Sequence, residues 1–203
     1  MYSDLIYDFD GTLSDTYPVV TEEFLRILRE HGIREEYDRA YAYLKRSYGY
    51  AVKQYDIGME AKAFSALLNE RVIRASVRQK PIAGALELLR AAAERGKRNF
   101  IYTHSGAYVH GIMERWGFAP YVTYVLDSSH GFPRKPDPAA LRYLTERFSI
   151  DPAKALMVGD RDIDIEVGHN AGMAGCLLDP EGFYTDCVAE YRVCTLPEIQ
   201  KIL

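Results

Sequence analysis

The 203-residue chain has little cysteine: Cys176, Cys187 and Cys194 all fall late in the sequence, with no CxxC spacing. An odd count without paired spacing argues against a disulfide framework or a zinc site and points to a reducing compartment. No apolar run reaches the length of a membrane span, and no basic segment leads into an apolar stretch at the N-terminus. No membrane partner and a cytoplasmic location are therefore expected. Positive charge is not in excess either: 25 Lys+Arg stand against 29 Asp+Glu, a formal net charge of −4. That balance gives no general attraction for nucleic acid or anionic lipid, while leaving room for a local basic pocket for a small anion. Repeats, low-complexity tracts and Gly/Ser linkers are also missing. What remains is an ordinary globular composition, 48% hydrophobic and 27% charged, in a length suited to one domain carrying a sizeable insertion.

Short apolar runs alternate with helical segments. The runs are Leu5-Ile6-Tyr7, Asn99 to Tyr102, Tyr121 to Leu126, Ala155 to Val158 and Ala174 to Leu178. They lack polar alternation, as strands buried on both faces do. Leu86, Leu89 and Ala93 recur at helical spacing, as do Val109, Ile112, Met113 and Trp116, and then Leu141, Leu144 and Phe148 after Pro138. This order predicts an α/β fold with a doubly wound, Rossmann-like parallel sheet and ligands at the carboxyl ends of its strands. From about Thr16 to Lys80 no strand is expected. Val20, Phe24, Ile27 and Leu28 form one helical face, and Phe64, Leu67, Leu68, Val72 and Ile73 another. The organisation expected is a core of residues 1–15 and 81–203 with an all-helical cap at 16–80.

Each strong run ends in a polar residue. The first leads to Asp8 and Asp10, the second to Thr103, and the fourth to Asp160 with Asp164 four residues on, while Lys135 follows the third. Strand ends of a parallel sheet converge, so carboxylates, a hydroxyl and an ammonium are expected in one crevice. Clustered carboxylates raise one another's pKa, and a hard divalent cation relieves the conflict. A cation beside a lysine makes a site for a phosphate dianion. One carboxylate can attack phosphorus, and a second can act as general acid and base.

The run Asp8-Phe9-Asp10-Gly11-Thr12-Leu13 resembles the signature of the haloacid dehalogenase-like phosphatases. Thr103 in Tyr102-Thr103-His104-Ser105, Lys135 in Arg134-Lys135-Pro136-Asp137-Pro138, and Asp160 and Asp164 in Gly159-Asp160-Arg161-Asp162-Ile163-Asp164 resemble the family's later motifs, in order. The helical insertion resembles the cap of the phosphoglycolate phosphatase and β-phosphoglucomutase-like branch. The resemblance implies Asp8 as nucleophile and Asp10 as general acid and base. It implies Mg2+ held by Asp8, the backbone carbonyl of Asp10, Asp160 and Asp164, with Asp164 also orienting a metal water or Lys135. Thr103 and the backbone amide of His104 would bind the phosphoryl oxygens, and Lys135 would neutralise the phosphoryl group and the nucleophile. Lys45 and Arg46 resemble in position the substrate-contacting region of related caps.

The expected activity is Mg2+-dependent hydrolysis of a small phosphorylated metabolite through an aspartyl-phosphate, by a monomer or homodimer. Two other readings share these residues. A β-phosphoglucomutase-like phosphomutase would return the phosphoryl group to a sugar, and a catalytically silent protein would bind a metabolite on the same fold. Asp10 argues against carbon–halogen cleavage, which in this superfamily proceeds without a second aspartate in the first motif.

Overall fold

A computed structural model describes residues 2–203. The chain divides into two compact units, one running up to Ser14 and resuming at Pro81–Leu203, the other spanning Asp15–Lys80. In chain order the elements are β1 (Asp4–Tyr7), β2 (Ser14–Asp15), α1 (Tyr17–Glu30), α2 (Tyr37–Arg46), α3 (Tyr48–Val52), α4 (Ala61–Ala75), β3 (Lys80–Pro81), α5 (Ala85–Glu94), β4 (Arg98–Tyr102), α6 (Tyr108–Arg115), β5 (Tyr124–Leu126), α7 (Ala139–Phe148), β6 (Ala155–Gly159), α8 (Asp162–Asn170), β7 (Ala174–Leu178), β8 (Tyr191–Val193) and α9 (Leu196–Ile199).

The first unit is built on a six-stranded sheet in the order β5-β4-β1-β6-β7-β8, with every pairing parallel. Alternate residues of each strand feed opposite faces. Leu5, Tyr7, Ile101, Leu156 and Val158 pack with α5, α6 and α9. Ile6, Phe100, Met157 and Leu126 pack with α7 and α8. Both faces are covered, so the strands are apolar without alternation. Burying each such side chain stabilises the fold by about 1.5–3 kcal/mol. The first strand lies between β4 and β6, where the winding reverses direction, and the crevice at its carboxyl end is the switch point.

The second unit is helical. Val20, Phe24, Ile27 and Leu28 of α1 close on Leu44 of α2 and on Phe64, Leu68 and Val72 of α4. Phe24 and Phe64 stack at 5.4 Å. The short strands β2 and β3 pair with one another where the chain leaves the first unit and returns to it.

Four details differ from the sequence expectation. The third strand is shorter, because Ala119–Tyr121 form a 3-10 turn and only Tyr124–Leu126 pair. The sixth strand, β8, is an edge strand with one buried residue, too short and too exposed to leave an apolar run. Lys80 pairs as a strand residue in β3. Finally, α5 buries Ala85, Leu88, Leu89 and Ala92, a face rotated from the Leu86 and Ala93 spacing. Among the described residues no helix is long and apolar enough to cross a membrane, and the three cysteines are free thiols.

Candidate active site

The carboxyl end of β1 runs into a tight turn. Asp8 continues the ladder by donating its N–H to Val158 O at 2.8 Å, and Gly11 and Ser14 close the turn with a 2.8 Å bond between their backbones. Gly11 sits at φ 82°, a conformation that favours a residue without Cβ. This turn sets Asp8 in the floor of the crevice, 3% exposed, and leaves Asp10 half-buried at its rim.

On the β6 side, Asp160 follows the strand directly and Asp164 lies in the first turn of α8. The Asp164 carboxylate accepts the Arg161 N–H at 3.1 Å, as the third residue of a capping box. The N-cap residue of α8 is Arg161, and Asp164 supplies the side-chain acceptor. Gly159 is required for this fit, because a Cβ there would lie 2.1 Å from Asp164 Cβ.

Asp8, Asp160 and Asp164 each offer one carboxylate oxygen, all within 4.8 Å of one another, and all three residues are buried. Lys135 reaches into the group from the loop after β5. Its Nζ donates to Asp8 Oδ1 at 2.6 Å, to Asp164 Oδ1 at 2.8 Å and to Tyr102 O at 3.1 Å. It also lies 4.6 Å from the centre of the Tyr102 ring. Thr12 Oγ1 stands 3.5 Å from Asp160 Oδ1.

The charges do not balance: three buried carboxylates face one buried ammonium. Burial pushes Asp8 up to about 8, Lys135 pulls it down, and Asp164 and Asp160 add to the rise. Burial alone would raise Asp164, but Lys135, Arg161 and the Arg161 amide outweigh it and hold it below the usual carboxylate range. Burial alone would lower Lys135, and Asp164 and Asp8 reverse that, holding it above the usual amine range. The surplus of negative charge and the all-oxygen donor set fit a hard divalent cation such as Mg2+.

Thr103 follows β4 and is 1% exposed. Its Oγ1 accepts the Ser105 N–H at 2.9 Å and lies 3.4 Å from Asp10 Oδ2. Ser105 Oγ donates to the same Asp10 oxygen at 2.6 Å and meets the Tyr108 hydroxyl at 2.8 Å. Thr103 and Ser105 thus hold the Asp10 carboxyl. Ser105 was not among the residues expected from the sequence, because its partner Asp10 lies 95 positions away. The His104 ring turns elsewhere: its Nε2 accepts the Lys135 N–H at 3.0 Å. Burial, then Lys135, Arg134 and Arg161, push its pKa down to about 3, so the ring is neutral. Lys45 and Arg46 belong to the helical unit, where the Lys45 ammonium lies 4.6 Å from the Tyr17 ring centre and the Arg46 guanidinium 4.3 Å from that of Tyr50.

A family model described as haloacid dehalogenase-like hydrolase matches residues 5–177, a span running from β1 into β7. The chain belongs to the haloacid dehalogenase-like hydrolases. Among curated members, it is 30% identical over 186 residues to a phosphoglycolate phosphatase of Rhodospirillum rubrum, covering 83% of this chain and 76% of that protein. It is 28% identical over 178 residues to an N-acetylmuramic acid 6-phosphate phosphatase of Pseudomonas aeruginosa, covering 83% and 77%. Among solved structures, a hydrolase from Streptococcus pneumoniae superposes with a TM-score of 0.66 at 35% identity, covering 86% of this chain and 91% of that one. As a haloacid dehalogenase-like hydrolase the chain is an enzyme, and the crevice at the end of β1 is its candidate site.

Proposed function

We propose that this hydrolase cleaves the phosphomonoester of a small phosphorylated metabolite through an aspartyl-phosphate on Asp8. The observation that carries this reading is the Lys135 ammonium bonded to both Asp8 and Asp164, beside Asp160. Asp8, the backbone carbonyl of Asp10, Asp160 and Asp164 would hold Mg2+. The cation, when bound, offsets the surplus of carboxylate charge, keeps Asp8 ionised and attracts the phosphoryl dianion.

In the first step an Asp8 carboxylate oxygen bonds to phosphorus and the bond from phosphorus to the leaving oxygen breaks. Asp10, carrying a proton, gives it to that oxygen. In the second step Asp10 takes a proton from water as the water oxygen bonds to phosphorus, and the Asp8–phosphorus bond breaks to restore the carboxylate. Ser105 and Thr103 hold one Asp10 oxygen, which fixes the carboxyl for both transfers. Lys135 spreads the negative charge of the phosphoryl group in the transition state. The His104 imidazole, neutral and engaged with the Lys135 amide, takes no part in proton transfer, and its backbone amide and Thr103 would contact the phosphoryl oxygens.

The relatives' names cover a two-carbon phosphorylated acid and a phosphorylated amino sugar. Phosphoglycolate is thus one candidate substrate, and the class of small phosphomonoesters is the supported reading. The substrate side of the proposal extends to Lys45 and Arg46 as contacts for the leaving group, and to residues 16–80 as the cap. The test is phosphate release from p-nitrophenyl phosphate and a metabolite panel. Wild type with Mg2+ is expected to turn over, while Asp8→Asn, Asp10→Ala and EDTA treatment abolish release. Full activity in Asp8→Asn would refute the nucleophile. Turnover of a sugar phosphate that needs a bisphosphorylated primer and frees no phosphate would favour the phosphomutase.

A further inference from the structure

The loop after β4 carries a chain of hydroxyl groups to Asp10. Ser105 is anchored through its backbone, where its carbonyl accepts the Ser128 N–H at 3.0 Å. Three residues on, Tyr108 opens α6, and that spacing puts both side chains on one side of the turn. Their hydroxyls meet at 2.8 Å. Ser105 Oγ in turn donates to Asp10 Oδ2 at 2.6 Å. The Tyr108 ring packs against the core of the sheet unit, while all three residues stay half-buried. The mechanism above uses Ser105 and Thr103 and gives Tyr108 no part.

A hydroxyl has one proton to give, so this chain has a direction. A carboxylate only accepts, so with Asp10 ionised the Ser105 proton goes to Oδ2. Ser105 Oγ is then left to accept, and the Tyr108 hydroxyl donates to it. The phenol keeps its proton: burial, then the charge of Asp10, hold it above its usual pKa. Thr103 Oγ1 accepts the Ser105 N–H at 2.9 Å and lies 3.4 Å from the same Asp10 oxygen, which leaves its own proton for Oδ2. Oδ2 thus receives hydroxyl protons, and the proton that Asp10 carries as an acid belongs on Oδ1. Without a donor behind it, Ser105 Oγ can turn round and accept that proton from Oδ2, where it is withheld from the leaving oxygen.

We propose that Tyr108 is a positioning residue for proton transfer: by donating to Ser105 it fixes the direction of the hydroxyl chain and keeps the transferable proton of Asp10 on Oδ1. Its role runs through Ser105 and requires no contact with substrate. The proposal rests on Asp10 being the general acid, as read above, and adds the residue that sets which of its oxygens is the acid. The effect is largest where the leaving group needs that proton most.

Benzyl phosphate and p-nitrophenyl phosphate are similar in size and separate this role from packing. Nitrophenolate can depart as the anion, whereas benzyl alcohol must be protonated as it leaves. Release of the alcohol or phenol is followed in a single turnover, with the full chain in excess and Mg2+ present, which reads the first step alone. Tyr108→Phe keeps the ring and drops the hydroxyl. Its rate should fall roughly tenfold with benzyl phosphate and no more than about twofold with p-nitrophenyl phosphate, while inorganic phosphate inhibits it as it does wild type. Added to Ser105→Ala, it should slow the reaction no further, since the chain is already cut. Asp10→Asn tests the acid itself and should favour p-nitrophenyl phosphate by about a hundredfold or more. If Asp10→Asn slows both substrates alike, the acid is not Asp10, and the reading above fails together with the proposal. If Asp10→Asn discriminates and Tyr108→Phe does not, or if the Tyr108 and Ser105 effects add, the reading stands and the proposal alone is overturned. An equal loss on both substrates in Tyr108→Phe, with weaker inhibition by inorganic phosphate, would mark a packing role and overturn it as well.

Discussion

Replacing Lys135 with methionine removes a buried charge while nearly keeping its volume. The lysine side chain is 0% exposed, as is that of Asp164, and that of Asp8 is 5% exposed. Methionine is unbranched and flexible, so the cavity contribution is small. What is lost is the cation that offsets Asp8 and Asp164. Removing one member of a buried ion pair costs about 3–5 kcal/mol, because the partner charge stays buried. Proton uptake limits that cost. Without Lys135 both carboxyls titrate above their unfolded values, so between about pH 4 and those raised values the native state binds more protons than the unfolded chain. Stability of the variant then falls as pH rises, and its deficit against wild type should widen from pH 5 to pH 8. The assay is urea unfolding in EDTA followed by fluorescence of Trp116, the single tryptophan. That residue stacks on Phe9 at 6.1 Å within the sheet unit, so it reports this unit and not the helical one. Added Mg2+ should narrow the deficit. A double variant with Asp164→Asn should lose less than the sum of the two single variants, because the orphaned charge has been removed. A deficit below about 1 kcal/mol at pH 8 in EDTA, or one that does not change with pH, would refute the reasoning.

Four further outcomes are expected. Gly159→Ala brings a Cβ to 2.1 Å from Asp164 Cβ and 2.6 Å from its Oδ2. The strand–helix junction must shift, at a cost of about 3 kcal/mol or more, and a variant with wild-type melting and phosphate release would contradict this packing. Ser105→Ala removes the 2.6 Å bond to Asp10; kcat should fall about tenfold with little change in melting temperature, as measured by steady-state phosphate release. His104 has its pKa pushed from 6.5 down to about 3, so between those values the unfolded chain binds the extra proton and stability rises with pH. The contribution is complete above pH 6.5 and is lost on acidification towards pH 3, by up to about 1.4 kcal/mol per unit, a slope that His104→Gln should lack in pH-dependent unfolding. Asp179 accepts from Phe183 N, Tyr184 N and Arg192 Nη1 at 2.8, 3.1 and 2.5 Å. Asp179→Ala should free the segment 180–190 for proteolysis and cost about 2–3 kcal/mol, and unchanged cleavage kinetics would refute that role.

Much of the sheet was legible because its strands are covered on both faces and therefore read as unbroken apolar runs. The polar residues that end those runs stood out for the same reason. Asp8, Thr103 and Asp160 each interrupt an apolar stretch where the strand stops. The edge strand β8 left no such contrast, since only Val193 of its three residues is buried. Ser105 looked like an ordinary loop serine, and its bond to Asp10 spans 95 positions in the chain. Local patterns carry no record of a pairing at that separation. Lys45 and Arg46 resembled in position the substrate-contacting region of related caps, and the aromatic rings they lie against, Tyr17 and Tyr50, became visible only in the fold.

The sequence by itself determined the strand–helix alternation, the helical insertion and the polar residues at the strand ends that form the candidate site, because periodicity and strand-end residues are local properties. Only the tertiary structure decided which groups share charge. It joined Lys135 to Asp8 and Asp164 across 127 and 29 positions, and turned Asp10 towards Ser105. Distances between side chains far apart in the chain depend on how the whole sheet closes, and a linear pattern of residue types does not contain them.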